Sequence, residues 1–216
     1  FTTKDGLYGN GIRGIQEDHL GNMYFDTGQG INKFDGKTIE KLTVIDDSTK
    51  ARMLNPTDLW FCGEWDLNGV YRCDGEYLYQ LKMPKHPLEG EFRKLNPEAT
   101  YEIYSNYTTF KDNSGFVWFG GAIFGACRFD GSELIWISER EMTEVHRGRS
   151  MGVRSIIQDQ AGDFYFGSNV TSKYRIVEFD GSVTYEKLKA IDNSAEPDAR
   201  SACMSIAQDS DGNFWM

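Results

Sequence analysis

The sequence has few histidines, cysteines and prolines, and it lacks any long apolar run. Its 216 residues include three histidines, four cysteines and five prolines. A helix that crosses a bilayer needs about 20 mainly apolar residues, and no stretch approaches this, so the sequence predicts no membrane span. The cysteines do not have the paired short spacing of a zinc site. We expect Cys62, Cys73, Cys127 and Cys203 to be buried free thiols, although Cys62 and Cys73 could meet across a hairpin.

The sequence also lacks an excess of basic residues and the common signatures of nucleotide-binding and hydrolytic enzymes. It has 23 lysines and arginines against 33 aspartates and glutamates, a formal net charge of −10. An acidic surface repels phosphate backbones, so we do not expect nucleic acid as a partner. No Gly-rich phosphate loop, Ser-x-x-Lys or Gly-x-Ser-x-Gly motif is present, and we expect no cofactor. Aromatic residues make up 14% of the chain, which predicts a packed core.

One short motif occurs four times in the sequence. It combines an Asp-x-x-Gly turn with apolar and aromatic residues in DHLGNMYF (18–25), DNSGFVWF (112–119), DQAGDFYF (159–166) and DSDGNFWM (209–216). The first interval between copies is about twice the second, so a further copy should lie inside it. The stretch 54–81 supplies this copy. It keeps Trp60-Phe61 and Asp74-Gly75 but has Leu54 and Thr57 in place of the turn Asp and Gly.

Each copy can be divided into four short β-strands. The Asp side chain accepts hydrogen bonds within a tight turn, and the Gly supplies the positive φ that closes it. A second turn, at the Asp-Gly of FDG or CDG, is typical of a hairpin. Four short antiparallel strands, repeated roughly every 40 to 55 residues, are typical of β-propeller blades. The residues that we assign to these structural positions are Asp18, Gly21, Asp35, Gly36, Trp60, Asp74, Gly75, Asp112, Gly115, Trp118, Asp130, Gly131, Asp159, Gly162, Asp180, Gly181, Asp209, Gly212 and Trp215.

We therefore expect one all-β domain over residues 1–216, a β-propeller of four-stranded antiparallel blades. A single blade cannot shield both of its apolar faces, so neighbouring blades should bury aromatic residues between them, each contributing about 1.5–3 kcal/mol. These aromatics are Tyr24, Trp60, Trp118, Tyr165 and Trp215. The blades should cover about 12–44, 52–83, 103–138 and 152–190, with a partial blade at 201–216 and an outer strand of a preceding blade at 1–6.

Four full blades plus parts of others make an incomplete ring. Closed propellers usually have four to eight blades, and a blade without its third strand exposes unpaired backbone groups. We therefore expect this chain to be a fragment of a longer one. The alternative is a five-bladed ring in which residues 1–3 pair into the last blade.

The pattern Asp-x-x-Gly-x-apolar-Trp/Tyr-Phe, followed by Phe-Asp-Gly, resembles the two-component regulator propeller repeat. The opening FTTKDGLYGNGIRGIQED (1–18) is similar to that family's join between the outer strand of one blade and the inner strand of the next. The resemblance implies a bacterial sensor or binding domain, periplasmic or at the cell surface, with a role in signal transduction. It implies no shared catalytic residues, because the motifs specify blades and not chemistry.

Ligands of a propeller are expected on one face, around the mouth of the central channel. The loops that should form this face are 63–69, 82–107, 138–152 and 167–174. They are long and unequal, and 82–107 is the largest insertion. We therefore expect a ligand-binding site among them.

Arginines occupy one repeated register near this face. Arg13 and Arg154 each lie five residues before a turn Asp, and Tyr107 and Met204 hold the same register. Two arginines that converge on the channel mouth would bind an anionic ligand or an acidic peptide. The alternative is that they bond to neighbouring loops or to solvent.

A second candidate is the exposed aromatic in loop 63–69. Trp65 lies between Glu64 and Asp66, an arrangement that suits contact with a sugar or a cation. The alternative is that Trp65 packs beneath the adjacent insertion. A metal-bearing or general-base pair of His86 and His146 is conceivable, but nothing in the sequence shows that the two meet.

We expect a ligand- or partner-binding propeller without catalytic residues and without a metal. Its partner is an unknown small molecule, glycan or protein. Two alternatives stay open: a metal-dependent lyase or hydrolase with its site at the channel mouth, and a protein–protein interaction scaffold.

Overall fold

The structure, a computed structural model, describes residues 1–138, 152–168, 171–179, 182–189 and 204–216. Asp180, Gly181, His146 and Cys203 lie outside the described residues. The chain divides into two compact units. The first comprises Phe1–Pro84, Thr100–Asn106 and Asp130–Glu133, and the second comprises Lys85–Ala99, Tyr107–Phe129 and Leu134–Met216. No helix in the described part of the chain is long and apolar enough to span a membrane.

The first unit begins with a four-stranded antiparallel sheet. Its strands β1 (Gly14–Glu17), β2 (Met23–Asp26), β3 (Ile31–Phe34) and β4 (Ile39–Lys41) pair in the order β1-β2-β3-β4. Tyr24 faces Gln16 on one side and Lys33 on the other. Tyr24 on β2 and Ile31 on β3 are fully buried, so the two central strands contribute side chains to the apolar core.

Residues 1–6 do not form the predicted outer strand. Thr3–Asp5 make a 3-10 turn instead, which Gly6 ends at a φ of 110°. The Thr2 hydroxyl accepts the N–H of Lys4 at 3.2 Å, and the Asp5 carboxylate accepts the N–H of Thr2 at 2.8 Å. These side chains bond to the nearby backbone reciprocally, as in a capping box. The prediction of a strand was wrong because such local bonds compete with strand pairing.

The second sheet departs from the predicted blade 52–83. Its strands are β5 (Thr43–Ile45), β6 (Leu59–Phe61), β7 (Val70–Cys73) and β8 (Tyr77–Leu81), in the order β5-β8-β7-β6. The pairing of β5 with β8 is parallel, and β5 comes from the end of the segment predicted as the first blade. The helix α1 (Ser48–Ala51) lies between β5 and β6, ahead of the predicted blade, and the Asp47 side chain caps it by accepting two N–H groups.

A buried ion pair follows residues 54–57, which take the place of the Asp-x-x-Gly turn of the other sheets. Arg72 on β7 contacts Asp58 through two bonds, Nε–Oδ2 at 2.6 Å and Nη2–Oδ1 at 3.0 Å. Its third nitrogen donates to the Lys50 carbonyl in α1 at 2.8 Å. The bidentate geometry makes this a strong contact, and it ties α1 to the sheet.

Apart from Asn106, which belongs to the first unit, the second unit contains two four-stranded antiparallel sheets and one two-stranded sheet among its described residues. The third sheet of the chain comprises β9 (Asn106–Lys111), β10 (Val117–Gly121), β11 (Ala126–Phe129) and β12 (Leu134–Ile137). The fourth comprises β13 (Ser155–Gln158), β14 (Phe164–Gly167), β15 (Thr171–Phe179) and β16 (Ser182–Leu188). The fifth comprises β17 (Ala207–Gln208) and β18 (Phe214–Trp215), and the helix α2 (Glu89–Leu95) lies within the insertion 82–107.

The same hydrogen bonds close every Asp-x-x-Gly turn. The Asp Oδ1 atom accepts the backbone N–H groups of the second and fourth following residues at 2.8–3.0 Å. The Gly has a φ of 84–89°, which only glycine adopts readily. In three turns Oδ2 accepts the aromatic side chain six residues further on: Tyr24 to Asp18 at 3.1 Å, Trp118 to Asp112 at 2.8 Å and Trp215 to Asp209 at 3.0 Å. This geometry explains the spacing of the motif.

Apolar clusters join successive sheets within each unit. Tyr24, Phe61 and Leu78 belong to a cluster of the first and second sheets. Trp118, Ile156 and Phe166 belong to one of the third and fourth, and Tyr165, Ile206 and Phe214 to one of the fourth and fifth. Trp215 differs from the aromatics at its equivalent positions, because 65% of its surface is exposed.

The contact between the third and fourth sheets recurs between the fourth and fifth. Trp118 lies 4.8 Å from Phe164, and the equivalent residues Tyr165 and Phe214 are also 4.8 Å apart, measured between ring centroids. A glutamine ahead of the turn Asp binds the turn of the preceding sheet in both cases: Gln158 accepts the N–H of Asn113 at 2.9 Å, and Gln208 that of Gln160 at 3.1 Å. Two successive pairs of sheets in the second unit thus use the same contacts.

Candidate ligand-binding site

Loop 63–69, between β6 and β7, is anchored to the first sheet by Asp26. Asp26 ends β2 and is 2% exposed. Its carboxylate accepts the N–H of Gly63 at 3.0 Å and the N–H of Gly28 at 2.9 Å. At the other end of the loop, Gly69 has a φ of 111°, and a Cβ there would lie 2.0 Å from the carbonyl oxygen of Leu81. Both ends of the loop therefore have a defined backbone position.

Arg13 forms a second anchor for this loop. It directly precedes β1, and its N–H donates to the Asp26 carbonyl at 2.7 Å. Its guanidinium donates through Nη1 to the Gly63 carbonyl and through Nη2 to the Asn106 carbonyl at 3.0 Å. This geometry corresponds to the alternative in which the arginine bonds to neighbouring loops, because two of its three nitrogens are occupied by backbone oxygens.

Trp65 is stacked on Arg13 and still widely accessible. The Arg13 Cζ atom lies 3.8 Å from the centroid of the indole ring, within the range of a cation–π contact. Trp65 is nevertheless 61% exposed, so it does not pack beneath an insertion. Glu64 is partly buried and Asp66 is exposed. The loop therefore presents an exposed aromatic ring that stacks on a partly buried arginine.

Burial shifts the pKa values of several groups behind the loop. Burial raises the pKa of Asp26, against the lowering effect of the two N–H groups that it accepts and of Arg13. Burial, together with a hydrogen bond to Glu64, raises the pKa of Tyr71. Burial also raises the pKa of Cys62 to about 12, so its thiol stays protonated and unreactive. Cys62, Cys73 and Cys127 are all buried free thiols.

The equivalent arginine of the second unit has an aromatic partner of its own. Arg154 lies with Cζ 4.0 Å from the ring centroid of Tyr107, and its N–H donates to the Gly167 carbonyl at 2.8 Å. Met204, which holds the same register, is half-exposed. The structure thus brings together Arg13, Glu64, Trp65 and Asp66 in the first unit, and Arg154 and Tyr107 in the second.

The described histidines do not assemble a metal site. His86 is buried, stacked on Phe124 with ring centroids 4.5 Å apart. Its Nδ1 accepts the N–H of Leu88 at 3.1 Å, and its Nε2 lies 2.7 Å from Ser138 Oγ. His19 is exposed in a turn. Among the described residues, no three His, Cys, Asp or Glu side chains form a group that could hold a metal.

Two cavities of the first unit lie away from loop 63–69. One, of about 420 Å³, is lined by β5, α1 and β8 and includes Asp46 and Lys82. The other, of about 220 Å³, includes Asp18, Lys33 and Asp74. Neither includes any of the six predicted ligand-binding residues, so a ligand held there would occupy a different site.

The sequence analysis did not identify Asp26 and Asn106, which position the site. A signal for Asp26 was present: the other copies have Gly120, Gly167 or Cys62 at the end of the second strand, where this one has Asp. Asn106 has no such signal. Its role depends on contacts with residues far away along the chain.

No family model and no curated protein matches the sequence. Among solved structures, the extracellular domain of BT4673 from B. thetaiotaomicron, described as a one-component system, superposes with a TM-score of 0.57 and 12% identity over 95% of this chain and 26% of its own. The extracellular domain of BT3049 from the same organism, described as a hybrid two-component system, gives 0.39 and 14%, over 100% of this chain and 39% of its own.

PorZ, a bacterial surface component of the type-IX secretion system of Porphyromonas gingivalis, gives a TM-score of 0.48 and 9% identity, over 98% of this chain and 39% of its own. The chain spans 26% of the BT4673 domain and 39% of each of the other two. At 12% identity, the likeness to the BT4673 domain is one of fold.

Proposed function

We propose that this chain is part of a β-propeller that binds a ligand outside the cytoplasm, as a sensor domain of the two-component regulator propeller type. The recurring contacts of the second unit support the propeller. If one sheet contacts the next in the same way each time, the same rotation relates successive sheets, and repeated rotation generates a ring of blades. The fold likeness to an extracellular domain of a described one-component system supports the location and the sensor role.

The observation that carries the ligand-binding role is the ring of Trp65, exposed and yet fixed in place. Trp65 is 61% exposed, so its burial contributes little to the stability of the fold. Its ring is nevertheless held in place by stacking on Arg13, which donates to the carbonyls of Gly63 and Asn106. An aromatic anchor that is ordered in advance loses less conformational entropy when a ligand binds. We infer that Trp65 is the contact surface for a ligand.

The surroundings of Trp65 favour a neutral, hydroxyl-rich ligand over an anion. Glu64 and Asp66 flank the ring, and Arg13 directs two of its nitrogens to backbone carbonyls. The carboxylates can accept hydrogen bonds from hydroxyl groups, while the ring packs on an apolar face of the ligand. A glycan has both features, so the proposed function is glycan binding by a sensor propeller.

Binding of neutral oligosaccharides to the purified chain, followed by calorimetry and tryptophan fluorescence, tests this proposal. We expect at least one member of a neutral panel to bind and Trp65→Ala to abolish its binding. Trp215→Ala is the matched control, because Trp215 is similarly exposed but lies in the fifth sheet. The proposal fails if no neutral oligosaccharide binds, or if Trp65→Ala binds as tightly as the unmodified chain, as it would if the ligand occupied one of the two cavities.

A further inference from the structure

Three buried side-chain oxygens near loop 63–69 have no hydrogen-bond partner among the described residues. They are Glu64 Oε2, Asn68 Oδ1 and Asn106 Oδ1. Buried polar groups are nearly always paired, and leaving one unpaired destabilises a protein. Three unpaired acceptors around one loop therefore point to a bound group that these residues were selected to hold.

Chain neighbours and hydrogen bonds connect the three residues. Asn68 is adjacent to Gly69, whose carbonyl accepts the Asn106 Nδ2 group at 3.0 Å. Glu64 is adjacent to Gly63, whose carbonyl shares the Arg13 guanidinium with the carbonyl of Asn106. Gly69 thus connects Asn68 to Asn106, and Gly63 together with Arg13 connects Glu64 to Asn106.

The orientation of the Asn106 amide is determined by its neighbours. Asn106 is 1% exposed, and its Nδ2 group donates to the carbonyls of Gly69 and Tyr104 at 3.0 and 3.1 Å. Turning the amide over would bring its oxygen against two carbonyl oxygens. The unpaired atom is therefore the oxygen, an acceptor that only a donor or a cation can satisfy.

The charge around the loop is unbalanced. Glu64 and Asp66 lie within the loop, and the Asp26 carboxylate accepts the N–H of Gly63 at 3.0 Å. Arg13 contacts the loop, but its guanidinium donates to backbone carbonyls. An additional positive charge would reduce the repulsion among these carboxylates.

We propose that Glu64, Asn68 and Asn106 bind a calcium ion that holds loop 63–69 in place. Ca²⁺ takes carboxylate, amide and backbone oxygens in a flexible geometry, whereas zinc and other softer metals prefer nitrogen and sulfur ligands. The three side chains offer oxygens only, one of them a carboxylate. Because the neighbouring residue of Glu64 is Trp65, the ion would also fix the indole ring on which the proposed glycan binding depends.

Calorimetry of the chelator-treated chain with Ca²⁺ alone, up to about 10 mM to cover the weak extracellular range, tests the proposal. We expect saturable binding of one ion and a melting temperature that rises with Ca²⁺ concentration. Tb³⁺ should bind competitively with Ca²⁺ and show luminescence sensitised by the nearby aromatic rings. Absence of saturable binding over this range would overturn the proposal and would indicate that water satisfies the three oxygens.

Variants of the ligands make the test specific. We expect Glu64→Gln to weaken Ca²⁺ binding at least about tenfold, the lower end of what second-shell changes alone produce. Glu76→Gln is the matched control, because Glu76 is an exposed glutamate in the hairpin turn of the same unit, and it should bind Ca²⁺ as the unmodified chain does. Equal affinities of these two variants would contradict the assignment.

Asn68→Asp gives an independent test, because it strengthens one of the side chains that would coordinate Ca²⁺ and removes none of them. It adds a carboxylate without a change of shape, so Ca²⁺ should bind more tightly and stabilise this variant more than the unmodified chain. A variant that is destabilised with and without Ca²⁺ would contradict the site. Trp65→Ala should retain Ca²⁺ binding while it loses oligosaccharides, so failure of the calcium site and failure of glycan binding can be told apart.

Discussion

The hydrogen bond between a turn aspartate and the aromatic residue six positions later should stabilise the protein strongly where both are buried. Asp112 and Trp118 form this pair in the third sheet, with Trp118 Nε1 donating to Oδ2 at 2.8 Å. Asp209 and Trp215 form the equivalent pair in the fifth sheet at 3.0 Å. The perturbation that we consider is the same substitution, Asp→Asn, at both positions.

The expected magnitude follows from burial. Trp118 is 0% exposed and Asp112 is buried. In Asp112→Asn the amide oxygen still accepts the two backbone N–H groups of the turn, but the amide nitrogen then faces the indole N–H. Two donors meet where water cannot reach, so the variant should lose about 1–3 kcal/mol of unfolding free energy. Trp215 is exposed, and its N–H can bond to water instead, so Asp209→Asn should leave the stability unchanged.

Urea denaturation followed by tryptophan fluorescence and by far-UV circular dichroism measures both variants. We expect Asp112→Asn to lower the midpoint with an unchanged slope, which indicates a change of stability and not of compactness. Asp209→Asn should coincide with the unmodified chain. Equal effects of the two substitutions, or no effect of Asp112→Asn, would contradict the prediction. They would show that burial of the aromatic residue does not determine how much this hydrogen bond contributes to the free energy of unfolding.

Further predictions concern the ion pair, the buried histidine and the loop glycine. Arg72→Met should cost about 3–5 kcal/mol because it leaves Asp58 buried without its counter-charge, and the double variant with Asp58→Asn should recover part of this loss in urea denaturation. Burial lowers the pKa of His86, so the unfolded chain binds its proton more readily. Stability should therefore be full above about pH 6.5 and fall as the pH drops below it, and melting curves of His86→Gln should show a weaker dependence. Gly69→Ala should lower the melting temperature, because its Cβ would lie 2.0 Å from a backbone oxygen, whereas Gly90→Ala, with nothing within 4 Å, should not.

The repeated turns could be predicted from the sequence because their chemistry is local. An Asp that accepts two N–H groups and a Gly with positive φ lie within four residues of each other, so the motif DxxG is enough to indicate them. The strands that follow these turns are short apolar runs rich in aromatic residues, such as Val117–Gly121 and Phe164–Gly167, which is typical of buried strands. For this reason the first, third and fourth sheets appear as four-stranded antiparallel sheets in the segments where the sequence predicts blades.

The second sheet could not be predicted because its pairing is not local. β5 pairs in parallel with β8, although α1, β6 and β7 lie between them in the chain. Asp58 and Arg72 are 14 residues apart, and no turn motif in the sequence indicates either contact. Similarly, the register of Arg13 indicates that it lies at one end of the sheet, but not that its guanidinium bridges Gly63 and Asn106. Partners 50 and 93 residues away are set by tertiary structure.

We propose that, within the second unit, one rotation relates each sheet to the next, as in a propeller. A crystal structure of this chain tests it most directly, by comparing the operation that superposes the third sheet on the fourth with the one that superposes the fourth on the fifth. We expect the same angle about the same axis, with the Trp118–Phe164 and Tyr165–Phe214 ring pairs in equivalent places. Two unrelated axes, or a translation without rotation, would contradict it.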